Sequence, residues 1–211
     1  MKILFQGDSV TDACRDRSNP HDLGEGYPKY AAAMLQDAFP DVEFEFVDLG
    51  IGGNRTEHLV ERLEKDFVAV QPDIVSIMIG INDVWHRHSH HIQNTDEDIE
   101  RNYRTVLDTI KSRTKARILI IQPLLMESAN PGVAELREEL TSAHAIIERL
   151  ADEYADAYLP LDTILNTETK EEPVYYTLDG IHPTPNGACY IGETYLKAIA
   201  PLVELLSKEA E

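Results

Sequence analysis

The sequence predicts an α/β fold, a parallel sheet covered by helices on both faces, and three observations carry that expectation. Apolar runs of strand length alternate with stretches of helical period along the whole chain. Two of the runs, Ile74–Ile79 and Ile118–Ile121, are apolar with almost no polar interruption, as strands buried on both faces are. Short glycine-bearing words follow the first three runs, where a strand must turn towards a helix.

Taken in order, candidate strands fall at residues 2–6, 43–49, 73–79, 117–122 and 157–161. The first helix is expected at 27–39, with Pro28 in its opening turn. Leu59, Leu63, Phe67 and Val70 make the next apolar stripe, and Ile99, Tyr103, Val106, Leu107 and Ile110 the one after. Val133, Leu136, Leu140, Ala143, Ile147, Leu150 and Tyr154 mark a long helix, and Ile191, Tyr195, Ile199, Leu202 and Leu206 the last. Residues 163–178 show no clear period and are expected to be a long loop. Strand–helix units in succession, joined by right-handed crossovers, give the sandwiched parallel sheet in one domain over residues 1–211.

Charge narrows the class of partner. With 38 acidic and 19 basic residues the net charge is −19, so nucleic acid and anionic membrane surfaces would be repelled. The first seven residues hold too short an apolar run for a signal peptide, and no stretch approaches a membrane span, which predicts a cytoplasmic protein. Cys14 and Cys189 form no metal or redox motif and are expected to be free thiols, with Cys14 close enough to Ser9 in sequence to lie near a site there.

Four words carry the chemistry: Gly7-Asp8-Ser9-Val10-Thr11, Gly50-Ile51-Gly52-Gly53-Asn54, Gly80-Ile81-Asn82-Asp83 and Asp179-Gly180-Ile181-His182. The first three follow strands, and ligands of open α/β sheets bind beyond the carboxyl ends of strands. Ser9 is the candidate nucleophile, which needs a base to take its proton. His182 is that base, and Asp179 is spaced to orient its ring and stabilise the imidazolium. The N–H groups of Ser9 and Gly53 and the amide of Asn82 are candidate donors to an oxyanion. In isolation each word also reads blandly, as a turn or, for Asn82-Asp83, a helix cap.

Together and in this order the words resemble the four blocks of the SGNH (GDSL) hydrolase superfamily. The resemblance implies a flavodoxin-like three-layer α/β/α fold with a five-stranded sheet in the order 2-1-3-4-5. It implies a triad of Ser9, Asp179 and His182, an oxyanion hole of Ser9, Gly53 and Asn82, and ester or thioester hydrolysis through an acyl-enzyme without metal or cofactor. Residues 73–85 look like the third block of intracellular acetylxylan and carbohydrate acetyl esterases, so the expected substrate is a small acyl ester, acetylated oligosaccharides foremost. Leu178 stands where such esterases can carry an aromatic residue, and Gly52 where serine is common.

A shallow acyl pocket is expected, closed by Trp85, Val84 and Ile181, with Arg55 and Tyr176 also at the pocket and Tyr175 nearby. A general short-chain carboxylesterase or lysophospholipase is the alternative. A flavodoxin-like protein cradling a phosphate or nucleotide on the Ser9–Thr11 loop is an alternative of another class. The histidine-rich run 86–91 is expected on a loop, solvated or at the pocket rim, with no metal assigned to it. Self-association is left open.

Overall fold

In the computed structural model, which describes residues 1–209, five strands form one parallel sheet in the order β2-β1-β3-β4-β5. They are β1 (Lys2–Gly7), β2 (Glu45–Asp48), β3 (Ile74–Met78), β4 (Arg117–Ile121) and β5 (Ala157–Leu159). The register runs Ile3 to Ile74 and Gly7 to Met78 between the two central strands. Side chains alternate across the sheet, as the two-residue period of a strand dictates. Ile3 and Phe5 face one layer and Leu4 the other; Met78, Leu119 and Ile121 oppose Val75, Ile77, Ile118 and Ile120 in the same way.

Each face is then sealed by helices. On one side α2 (Tyr27–Ala38) and α9 (Pro185–Glu209) bring Tyr27, Leu35, Tyr195 and Ile199 onto Phe5 and Met78. On the other, α5 (Asp96–Arg113) and α6 (Arg137–Tyr154) bury Tyr103, Leu107, Leu140 and Ile147. Pro28 sits in the first turn of α2, where its missing N–H costs nothing. Thr95 and Asp98 form a capping box that starts α5. Ser76, a polar side chain buried at the centre, is satisfied: its hydroxyl bonds Leu4 O at 3.2 Å and lies 3.3 Å from the Tyr195 hydroxyl.

Three expectations need correction. Residues 163–178 are not a long loop: α7 (Leu161–Glu168) and α8 (Pro173–Tyr176) occupy most of them. Leu161 and Leu165 are buried one turn apart, but a helix of two turns repeats its pattern too few times to read as periodic. Leu161 accordingly begins α7 rather than ending β5. The run 86–91 is largely helical, since α4 spans Ile81–Ser89, with Ile81 and Val84 buried and the histidines towards its C-terminal end. Finally, the stripe from Leu59 to Val70 is interrupted: α3 (Thr56–Glu61) stops short and a π-helical turn follows at Glu64–Val68.

At the carboxyl end of β1, Gly7 meets the neighbouring strand with no room for a side chain. A Cβ there would lie 2.5 Å from Met78 O and closer still to the Thr11 hydroxyl. Gly7→Ala is expected to lose about 2–3 kcal/mol or to prevent folding, measured by urea unfolding; wild-type stability would show that β1 and β3 can part without cost.

Candidate active site

The chain leaves β1 at Gly7 and turns at once into a single helical turn, α1 (Ser9–Asp12). Asp8 caps it by accepting the Val10 N–H at 3.0 Å, which sets Ser9 at the first helical position above the sheet's carboxyl edge. α1 ends because Ala13 and Cys14 take left-handed backbone angles (φ 38° and 64°), uncommon for residues with a side chain. The chain then doubles back through Arg15 and Arg17 beside the serine.

His182 arrives from the other end of the sequence, on the loop between α8 and α9. That loop is closed by its own threonines: Thr177 Oγ1 accepts the Gly180 N–H (3.1 Å) and donates to His182 O (2.9 Å), while Thr184 N donates to Tyr176 O (2.8 Å). It is also tied to the segment after β4, through Met126 N to Gly180 O at 2.7 Å and Asn130 Nδ2 to Asp179 O at 3.0 Å. Gly180 has φ +86°, and a Cβ there would press on Val133 and Met126 O, so glycine is required twice over.

Ser9 Oγ lies 2.8 Å from His182 Nε2, and His182 Nδ1 lies 2.6 Å from Asp179 Oδ2. Asp179 Oδ1 accepts the backbone N–H groups of Ile181 (2.9 Å) and His182 (2.7 Å). Partial burial pushes the Asp179 carboxyl up, but the bonds from the His182 ring and the two N–H groups outweigh it and hold it below the ordinary range. An ionised carboxylate only accepts, so Nδ1 carries the ring hydrogen and Nε2 is left to accept the serine proton. Both side chains are about half exposed, at 53% for His182 and 52% for Asp179.

The second and third motif loops converge on the same edge. Gly53 has φ +81° with nothing within 4 Å of an added Cβ, so the glycine serves the backbone angle and leaves open space around it. Among the described residues, the N–H groups of Ser9 and Gly53 donate to no acceptor within the chain, whereas Gly52 N is committed to Asp12 Oδ2 at 2.8 Å. Asn82 Nδ2 spends one hydrogen on Asn54 O (3.1 Å), which fixes the amide and leaves the other free.

A group of three side chains with free donors beside it has the chemistry that acyl transfer requires. The chain matches the GDSL-like lipase/acylhydrolase family over residues 5–188. It belongs to that family. An acetylxylan esterase from Geobacillus stearothermophilus is 29% identical over 206 residues, covering 94% of this chain and 93% of that protein. The crystal structure of Axe2, an acetylxylan esterase from the same organism, matches with a TM-score of 0.83 at 28% identity, over 93% of this chain and 92% of that one. A GDSL-lipase-like protein from Parabacteroides merdae matches at 0.89 and 29%, over 94% and 95%. The acylhydrolase is thus a carboxylic ester hydrolase, and among its described residues no helix is long and apolar enough to cross a membrane.

A cavity of about 850 Å³ opens beside Ser9 and His182, walled by Val10 and the Ala13–Arg17 turn on one side and by Pro183, Pro185 and Ala188 on the other. Cys14 is on its wall, an exposed free thiol. None of the residues expected to close an acyl pocket lines this cavity. Ile181 and Val84 are buried in the core, 4% and 0% exposed. Trp85 rests half-buried against that core and borders a separate cavity of about 210 Å³ with Val133 and Leu136. Tyr176 stacks edge-on between Tyr175 and Tyr190. Arg55 is buried and paired with Glu57. Besides residues of the first and last words, the wall of this cavity is built from the turn that follows α1 and from the start of α9.

Two functional carboxylates had no signal of their own. Asp12 joins the first loop to the second through Gly52. Asp83 does not cap its own helix; it accepts Thr56 N (3.0 Å), Thr56 Oγ1 (2.8 Å) and Asn94 Nδ2 (3.2 Å), joining the third loop to the second. Of the histidines, His88 bonds Glu139 at 2.8 Å and His86 packs edge-on against His90.

Asp8 is wholly buried with Oδ2 unpartnered, and desolvation raises its pKa to about 7. Asp83 rises to about 6 for the same reason, checked by its bonds from Thr56. The unfolded chain ionises such a group near pH 4 while the folded protein keeps the proton, so stability falls as pH rises from about 4 to 7. Asp8→Asn removes that term. Its stability relative to wild type is expected to rise by on the order of 3–4 kcal/mol across that window; a pH-independent difference in urea unfolding would refute the assignment.

Proposed function

We propose that this acylhydrolase removes short acyl groups, acetyl foremost, from acetylated oligosaccharides, through an acyl-enzyme on Ser9. The observation that carries the reading is the continuous hydrogen-bond path from Ser9 Oγ to His182 Nε2 (2.8 Å) and from His182 Nδ1 to Asp179 (2.6 Å). His182 takes the serine proton as Oγ attacks the ester carbonyl, and Asp179 stabilises the imidazolium. The N–H groups of Ser9 and Gly53 and the free hydrogen of Asn82 stabilise the oxyanion. His182 then gives its proton to the leaving alcohol, and water repeats the sequence to free the acid. No step of this route needs a metal or a cofactor.

The acetyl preference draws its support from the kinship with acetylxylan esterases. A soluble acetylated sugar also suits a strongly acidic surface, as an anionic phospholipid aggregate would not. A cytoplasmic enzyme acting on small imported or internal esters is the setting that fits. The phosphate-cradle reading loses its footing at Thr11, which is 0% exposed, its hydroxyl 3.4 Å from that of Tyr27 beneath the loop.

Ser9→Ala should fold normally and lower kcat by several orders of magnitude, on the order of 10⁴-fold or more; near wild-type turnover would end the proposal. Along a p-nitrophenyl ester series, kcat/KM should fall from acetate to butyrate and be negligible at octanoate. An open acyl groove would instead gain about 0.8 kcal/mol per added methylene, and a maximum at hexanoate or longer would move the substrate to the lipase or lysophospholipase class.

A further inference from the structure

Two of the three oxyanion donors come from different loops. Gly53 belongs to the loop after β2 and Asn82 to the first turn of α4. A donor misplaced by about 1 Å can cost about a hundredfold in rate, so the two loops have to be locked to each other. Two ties do this. Asn82 Nδ2 reaches Asn54 O (3.1 Å), and Asp83 takes both the N–H (3.0 Å) and the hydroxyl (2.8 Å) of Thr56.

Asp83 is a carboxylate only 1% exposed, and such a group keeps its charge only if donors replace the lost water. Its third donor comes from outside every motif: Asn94 Nδ2, 3.2 Å from Oδ1. The Asn94 amide is oriented in turn, because its Oδ1 accepts Arg87 Nε at 3.1 Å. Arg87 spends its other two nitrogens on Asp96 at the start of α5 (2.8 Å) and Glu139 on α6 (3.1 Å). The guanidinium is thereby fixed to both helices that cover this sheet face. From that frame a line of hydrogen bonds runs through Asn94 and Asp83 to Thr56 on the second motif loop.

We infer that Arg87 and Asn94 are positioning residues of the oxyanion hole: acting through Asp83, they keep the Gly53 and Asn82 loops at catalytic spacing for as long as Asp83 is ionised. The inference rests on the hydrolase reading of Ser9, His182 and Asp179. The condition on charge follows from the partners, since all three bonds to Asp83 come from donors and Thr56 Oγ1 already accepts Asn102 Nδ2 at 3.1 Å. A proton on Asp83 breaks at least one of them. Burial pushes this carboxyl up to about 6, and the Thr56 bonds, then the charges of Arg55 and Arg87, keep it from rising further. The other ionisable groups facing it are Asp8 from the turn after β1 and Tyr103 from α5. Neither is altered by changes at Arg87 or Asn94.

The pH profile of kcat/KM for p-nitrophenyl acetate tests this in wild type, Asn94→Ala, Arg87→Met and Arg87→Lys. Well above neutrality Asp83 is ionised in all four, and Asn94→Ala should still be about tenfold slower than wild type, because the carboxylate is less firmly held. The acid limb should move up by about one pH unit in Asn94→Ala and in Arg87→Met, the worth of one hydrogen bond or one nearby charge to a carboxylate. Arg87→Lys keeps the charge and should move less than half as far. Arg87 is partly exposed, so if Asn94→Ala fails to fold in urea titrations, the two Arg87 variants decide on the same criterion. A slower enzyme with its acid limb unmoved has lost only structure, which overturns the inference, as does a wild-type profile in Asn94→Ala and Arg87→Met. Failure of the wild-type enzyme to release p-nitrophenol would instead sink the hydrolase reading, and the positioning role with it.

Discussion

The hydrogen bond between Ser9 and His182 joins residues 173 positions apart in the chain, and the rest of the structure serves to keep that contact at 2.8 Å. Neither partner sits on a long element. Ser9 rides on a single turn and His182 on a loop, so their separation is set by what anchors them. For Ser9 the anchor is β1, an interior strand paired with β2 on one side and β3 on the other. For His182 it is a loop tied to the segment after β4 by one backbone bond and the Asn130 side chain, with α9 packed along the same sheet face as Phe5 and Tyr27.

Carboxylates bind the remaining pieces to this contact. Asp179 takes the histidine ring and two backbone N–H groups at once. Asp12 holds Gly52, one residue before the free N–H of Gly53, and Asp83 holds Thr56, two residues after Asn54. Such charge-assisted bonds are short and directional, and in a half-dry site they resist the drift that would move an oxyanion donor out of reach. Desolvation is the cost, visible in the raised pKa of Asp8 and Asp83.

Much of this was legible in the sequence. The sheet was readable because β3 and β4 are apolar on both faces, and their neighbours repeat the strand–turn–helix rhythm with glycine at the exits. Ser9, Gly53, Asn82, Asp179 and His182 stood out because each residue type has a chemical reason to be in its word, and the structure gathers them at one edge. Short elements were not readable: α7 and α8 offer too few turns to show a period. The histidine run misled because its polarity masked the buried Ile81 and Val84 that make α4 a helix. The ties that Asp12 and Asp83 make between loops were silent because Gly52 and Thr56, the residues they hold, lie far along the chain with nothing local to announce the pairing. Of the turn on the cavity wall only Cys14 was foreseen, from its nearness to Ser9; Ala13 and Arg15 to Arg17 reach it through a left-handed turn that no glycine announces.

Covalent labelling tests the central claim, a serine made nucleophilic by its histidine, most directly. Wild-type protein treated with diethyl p-nitrophenyl phosphate should carry one diethylphosphoryl group on the tryptic peptide containing Ser9, located by mass spectrometry. His182→Ala should label at the same residue at least about a hundredfold more slowly. Labelling of Ser9 at the same rate in both proteins, or a modified peptide lacking Ser9, would contradict it.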